Sequence, residues 1–250
     1  MTALFSPEGI EAVCRLAASA SALVFDLDGT LAPLPNGSDD ARLAPATSAR
    51  LQRLARVWPV AVISGRQVAD STQRLGFKPQ FLFGNHGAER AGVARPEALV
   101  RSLEPCRKLL RQRREGLADR GIAVEDKGLS LALHYHRCAD RDEARGWLDS
   151  MVAGWGPGLR ATHGHSVLNV TPQAAPDKGD ALLEVMRECG ASQALVVGDD
   201  GGDEAALERS PPGSVSVRIG PPEVLTQARF RLARQSQVES LITLLLALRR

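Results

Sequence analysis

Five short apolar runs punctuate the chain: ALVFDLD (22–28), VAVISG (60–65), FLFGNHG (81–87), ALVVGDD (194–200) and SVSVRIG (214–220). Each is nearly unbroken in Ala, Val, Leu, Ile or Phe, the pattern of parallel strands buried on both faces. Apolar residues recur three and four apart over 43–57, 66–75 and 178–189, which read as amphipathic helices. Strand alternating with helix predicts an α/β fold, a Rossmann-like parallel sheet with helices on both sides. In such sheets ligands sit beyond the carboxyl ends of the strands. Asp26, Asp28, Ser64, Asp199 and Asp200 all fall there.

The rhythm breaks over residues 88–170. A helix carrying Leu99, Leu103, Cys106, Leu110 and Leu117 leads to two β runs, GIAVEDK and GLSLALHYHR. A second helix over 141–153 leads to two more, near 159–163 and 165–171. The repeated helix-strand-strand order predicts an inserted α+β cap, with an antiparallel sheet and helices on one face. The expected domains are therefore a core of 1–90 and 172–250 and a cap of 91–171. Alternation assigns the faces. Leu129, Leu131, Leu133, Tyr135, Leu168, Val170, Ile122 and Val124 point toward the helices. Glu125, Lys127, His134, His136 and Asn169 point the other way, and suit either water or a polar ligand.

Composition narrows the possibilities. Across 250 residues, 31 basic side chains balance 29 acidic ones, and aromatics make up 4%. That excludes a disordered chain and argues against a nucleic-acid binder, which needs concentrated basic surface and stacking aromatics. The run RKLLRQRRE (107–115) is interleaved with Glu104, Glu115 and Asp119 and reads as a solvated helix face. The terminal LITLLLAL is far shorter than the ~20 residues of a membrane span. Cys14, Cys106, Cys138 and Cys189 lie far apart, as in reduced thiols of a cytoplasmic protein. In that compartment the sequons Asn36-Gly-Ser and Asn169-Val-Thr are incidental. The initial apolar run, Leu16 to Phe25, follows Glu8 and Glu11 and reads as a core strand, not a signal peptide. The pairs His134/His136 and His163/His165 lack the cysteine-rich spacing of structural zinc.

The sharpest chemical signal is DLDGT (26–30), directly after an apolar run. Two carboxylates two residues apart at a strand end reach one site, and Gly29 permits a tight turn. Asp26 suits nucleophilic attack on phosphorus, and Asp28 suits general acid and base work. Adjacent anions facing a phosphate require a cation, and Mg²⁺ prefers such oxygens. Further along, Ser64 can hold phosphate oxygens. Lys178, one of only four lysines, begins a helix in DKG and can offset phosphoryl charge. GDDGGDE (198–204) adds Asp199, Asp200 and Asp203, enough oxygen ligands to complete a metal site.

This ordered set resembles the haloacid dehalogenase-like (HAD) phosphatases across roughly residues 20–220. More narrowly, it resembles the trehalose-6-phosphate phosphatase family in FDLDGTLAP, VISGR, GNHGAE, VEDKGLSLALHYHR, DKG and GDDGGDE. The resemblance implies a Mg²⁺-dependent phosphatase of sugar phosphates working through an aspartyl-phosphate, with Asp26, Asp28, Ser64 and Lys178 catalytic. It implies metal ligation by Asp26, the Asp28 carbonyl and Asp199, with Asp203 in support. It places substrate near Asp26, Leu27, Asp28, Arg66, His86, Glu125, Lys127, His136 and Asn169. It also implies a cap that closes over the sugar, and functional pairing with a sugar-phosphate synthase. We expect a monomer.

Three positions depart from the family pattern: Asn169 and Thr171 replace a usual Glu and Arg, and Gly202 replaces a usual Thr. The first two bear on sugar identity, and another phosphorylated disaccharide or a glycosyl-glycerate is the leading alternative substrate. A non-catalytic sugar-phosphate sensor and a phosphomutase complete the alternatives.

Overall fold

The computed structural model describes residues 1–34 and 42–249. Asn36 and its sequon therefore lie outside the described residues. In chain order the strands are β1 (Thr2–Ala3), β2 (Ser21–Phe25), β3 (Val60–Ile63), β4 (Phe81–Gly84), β5 (Glu89–Arg90), β6 (Ala123–Asp126), β7 (Leu131–His134), β8 (Leu159–Gly164), β9 (Val167–Pro172), β10 (Gln193–Gly198), β11 (Val215–Ile219) and β12 (Phe230–Leu232). The helices are α1 (Pro7–Ala17), α2 (Pro45–Leu54), α3 (Val68–Leu75), α4 (Glu97–Ser102), α5 (Glu104–Gln112), α6 (Arg114–Asp119), α7 (Arg141–Ala153), α8 (Lys178–Cys189), α9 (Glu204–Glu208) and α10 (Gln237–Leu248).

The chain divides into two compact units, one formed by Met1–Ala91 with Pro176–Arg250, the other by Gly92–Ala175. The second boundary lies a few residues beyond the expected 172. β9 pairs with β8 through Pro172, and the Arg160 guanidinium holds the Ala175 carbonyl at 3.1 Å.

The first unit is built on a sheet ordered β1-β12-β11-β10-β2-β3-β4-β5, parallel throughout except for the β4–β5 pair. β2 explains the pattern. All five of its residues are buried, with Leu23 and Phe25 in one apolar cluster and Ala22 and Val24 in the other. α1, α2 and α10 pack on the first side; α8 and α9 pack on the second. Removing a Leu or Phe side chain from water contributes roughly 1.5–3 kcal/mol, so a strand buried on both faces secures the centre of the sheet. The run LITLLLAL lies in α10 and buries Leu241, Ile242 and Leu245 in this core. No described helix is long and apolar enough to cross a membrane.

From β2 the chain steps outward to β3 and β4, whereas β10, β11 and β12 extend the other way. The order therefore reverses between β2 and β10. Such a switch point opens a crevice at the carboxyl ends of the strands.

The second unit carries an antiparallel sheet ordered β6-β7-β9-β8. The single helix expected around 99–117 is three, α4 to α6. Pro105 lacks an amide hydrogen and falls in the first turn of α5, where a break costs least. Leu103, Cys106, Leu110 and Leu117 still reach the core with Leu131, Leu133, Tyr135, Leu168 and Val170, while Leu99 does not. The register sets the opposite face: Glu125, Ala132, Asn169 and Thr162 form one cross-strand row.

Candidate active site

Beyond β2 the chain doubles back over Asp26 to Ala32. Gly29 N–H donates to the Ala32 carbonyl and Ala32 N–H to the Leu27 carbonyl, both at 2.8 Å. Gly29 sits at φ +77°, and a Cβ there would lie 2.1 Å from Asp199 Oδ2. Glycine is thus required twice, for its backbone angle and for the close approach of β10's loop. Leu27 buries its side chain fully in the core, so only its backbone can face a ligand.

Lys178 joins the acidic groups. Asp177 caps α8 in a reciprocal box with Asp180, which fixes Lys178 in the first helical turn. Its Nζ donates to Asp26 Oδ1 at 2.6 Å and to Asp203 Oδ1 at 2.7 Å. The other Asp203 oxygen accepts the N–H groups of Asp199 (2.9 Å) and Asp200 (3.1 Å). Asp203 therefore braces the loop with both oxygens engaged. Burial and the neighbouring Asp203, Asp199 and Asp200 push Asp26 well above the usual carboxylate range, despite the opposing pull of Lys178. Burial disfavours the Lys178 ammonium, but Asp203 and Asp26 outweigh it and hold its pKa well above the ordinary value. Asp203 stays below its usual range because Lys178 and two backbone donors overcome its burial.

Oxygens of Asp26, Asp199 and Asp203 lie within 4.8 Å of one another. Three buried carboxylates against one ammonium leave an excess of negative charge, which suits a small hard cation held by oxygen. The donor set fits a divalent ion.

Ser64 follows β3 and is fully buried; its Oγ accepts the Arg66 N–H at 3.1 Å. Arg66 grips Asp28 with two bonds, Nε to Oδ2 at 2.5 Å and Nη2 to Oδ1 at 2.8 Å, while Nη1 reaches Asp70 at 2.8 Å. Asn85 and His86 adopt left-handed angles, φ +49° and +61°, which cost energy for residues with a Cβ. The segment is held by Asn85 N–H to the Arg66 carbonyl (2.7 Å) and Asn85 Nδ2 to Glu89 (2.7 Å). The His86 ring is packed so closely that a Cβ on Gly65 would approach it to 2.5 Å. Asp26, Asp28, Ser64, Arg66, His86, Lys178, Asp199 and Asp203 thus all belong to the first unit, on segments that follow strands or open α8.

Glu125, Lys127, His136 and Asn169 belong to the second unit. Glu125 Oε2 meets His134 Nε2 at 2.9 Å and Lys127 Nζ at 3.7 Å. Asn169 is buried in β9, and His136 is exposed just past β7, its ring edge-on to His134. Burial and the nearby His134, Arg137 and Arg141 lower the pKa of His136.

Three contributors escape a reading of the motifs. Thr30 donates to Asp199 Oδ1 at 3.2 Å. Asp70 anchors Arg66. Arg218, buried in β11, bonds the Asp200 carbonyl and reaches Glu204 at 3.1 Å. A charge inside the apolar run SVSVRIG was the visible sign of Arg218. Thr30 was visible only as the last letter of DLDGT.

The chain gathers its carboxylates at the switch point of a parallel sheet, with a second unit inserted in sequence between the two halves of the first. It shares its fold with the C-terminal domain of Candida albicans trehalose-6-phosphate phosphatase, at a TM-score of 0.82 and 20% identity over 98% of both chains. The chain belongs to the trehalose-phosphatase family, whose model matches residues 24–235. It is 32% identical to the trehalose-phosphate phosphatase of Mycobacterium marinum over 228 residues, and 34% identical to that of Mycobacterium avium over 218. Those alignments cover 85% and 82% of this chain but 58% and 54% of the relatives, so it spans little more than half their length.

Proposed function

We propose that this chain hydrolyses trehalose 6-phosphate to trehalose and phosphate. The observation that carries the reading is Asp26, buried at the end of β2 and bonded to Lys178, with Asp28 two residues on in the grip of Arg66. An Asp26 oxygen attacks phosphorus as the bond to the sugar oxygen breaks, and Asp28 protonates the departing hydroxyl. Water then cleaves the aspartyl-phosphate, Asp28 takes its proton, and phosphate leaves with Asp26 restored. Lys178 and Ser64 bind the phosphoryl oxygens. Asp26, Asp199 and the Asp28 carbonyl would hold Mg²⁺, with Asp203 bracing them. The bound ion supplies the positive charge that lets an anionic phosphate approach carboxylates. Arg66 holds Asp28 turned toward it with two hydrogen bonds, so Asp28 must leave that fork to act as an acid.

We assign recognition of the sugar to Glu125, Lys127, His136 and Asn169, with His86 and the Leu27 backbone beside the phosphate. The chain works as a monomer in the cytoplasm, a compartment that suits its four free thiols, and receives its substrate from a sugar-phosphate synthase. The test is phosphate release from a panel of sugar phosphates with and without Mg²⁺. Trehalose 6-phosphate is expected to lead by at least tenfold in kcat/KM, and an equal or better rival would overturn the assignment.

A second reading, another phosphorylated disaccharide, is favoured by Asn169. Its row holds no second carboxylate to pair with Glu125. Asn169→Glu is expected to lower KM for trehalose 6-phosphate severalfold; a raised KM supports the second reading.

A further inference from the structure

The basic stretch 107–115, read from sequence as a solvated face, is exposed at Arg111, Arg113 and Arg114 and also borders a cavity. Arg107, Arg111 and Arg114, with Arg137 from beyond β7, line a cavity of about 570 Å³. Every lining residue belongs to the second unit, and none belongs to the aspartate cluster. The volume falls in the range of roughly 300–1,000 Å³ typical of small-molecule sites. Leu117, Ile122, Val124 and Leu131 give it an apolar wall, and Val124 remains partly exposed on the edge strand β6.

The four cations are not equivalent. Arg107 forks onto Asp126 at 2.7 and 3.1 Å and also holds the Gly128 carbonyl, so it is part of the frame. Arg111 is paired with Glu104 at 2.8 Å. For Arg114 and Arg137 no acidic partner lies within ion-pair distance among the described residues. An apolar wall with two uncompensated guanidinium groups is complementary to one kind of molecule. Its apolar body would cover the exposed Val124, above the buried Leu117 and Ile122, and its anionic head would meet the two arginines.

We propose that this cavity binds an amphiphilic anion, a carboxylate or phosphate attached to an apolar body. The inference is independent of the reaction assigned above, because no catalytic residue takes part.

The test uses the full chain and the fluorescent probe 1-anilinonaphthalene-8-sulfonate, with N-phenyl-1-naphthylamine as its uncharged counterpart. One saturable sulfonate site is expected. Arg114→Gln with Arg137→Gln should weaken it about tenfold, the scale of two partly solvated charge contacts. The uncharged probe should change less than twofold in the same variant. Val124→Asp, at a partly exposed position, should weaken both probes. Decanoate and decyl phosphate then compete for the site, and the stronger competitor identifies the head group. Absence of a saturable site, affinity unchanged in both variants, or failure of both competitors would overturn the proposal.

Discussion

The two units handle charge in opposite ways. In the first, Asp26, Lys178, Asp199 and Asp203 are all buried, and Lys178 and Asp203 each make several bonds. In the second, Glu125 is exposed beside His134 and Lys127, and Asp126, in the fork of the largely buried Arg107, lies nearly half in water. Burial magnifies electrostatic effects and solvent mutes them. The first unit is therefore suited to holding reactive groups at fixed positions and strained protonation states. The second can change its surface charges at little cost in stability, whereas its departures Asn169 and Thr171 are buried in β9.

The contrast can be broken most severely at Asp26. Asp26→Asn is expected to reduce phosphate release by about 10⁴-fold or more, roughly 5 kcal/mol of barrier, in a steady-state assay. The same variant should leave the metal-free fold as stable or slightly more so at pH 7, because it removes a carboxylate that its surroundings disfavour. A large loss of stability in urea would contradict this. Lys178→Met should show the reverse balance, losing about 3–5 kcal/mol in urea unfolding because Asp26 and Asp203 are left buried without their cation.

Metal-free protein offers a third measurement. Burial and Asp203 raise Asp200 to about 6, against the opposing pull of Lys178, so the folded state holds a proton that the unfolded state has released. Stability should fall, on the order of 1 kcal/mol, as pH rises from about 4 to 6. Asp200→Asn should flatten that slope, and added Mg²⁺ should reverse the loss.

In the second unit the effects shrink. Glu125→Gln is expected to raise KM several-fold with kcat nearly constant, the signature of lost uniform binding. Asp126→Asn should cost no more than about 1 kcal/mol, since Asp126 itself lies nearly half in water. Arg107 holds Asp126 below its usual range, so this contribution is present at neutral pH and disappears as pH falls below about 4. A thermal melt of both proteins at pH 7 and pH 3 measures it.

Much of this contrast was legible in the chain. The strands carrying Asp26, Ser64 and Asp199 stand out because continuous apolar runs end abruptly in polar groups. Lys178 stood out through its scarcity and its helix start. The alternation over 122–137 put Glu125 and Val124 on opposite faces, as the register does, although Val124 stays exposed on the edge strand instead of joining the core. What escaped was non-local. β1, β5 and β12 have two or three residues each, too short for a periodic signal, and form only because the sheet offers them an edge or a neighbour. The Arg66–Asp28 fork joins residues 38 apart, and no spacing rule announces it. The break between α4 and α5 was available from Pro105, but the apolar spacing ran across it, and nothing in the sequence marked the second break at Arg113.

The insertion of the second unit between the halves of the first has a cost in folding order. Thr30 and Asp199 touch across 169 residues, and closing a loop of that length costs about 4–5 kcal/mol of chain entropy. β2, made early, waits for β10 with one edge unpaired, and an apolar unpaired edge is a route to misassociation. The inserted unit, whose strand pairings span far shorter separations, can fold first and shorten the effective loop. Its sheet would then serve the nascent chain before it serves any ligand, as the clasp that brings the two halves of the parallel sheet within reach.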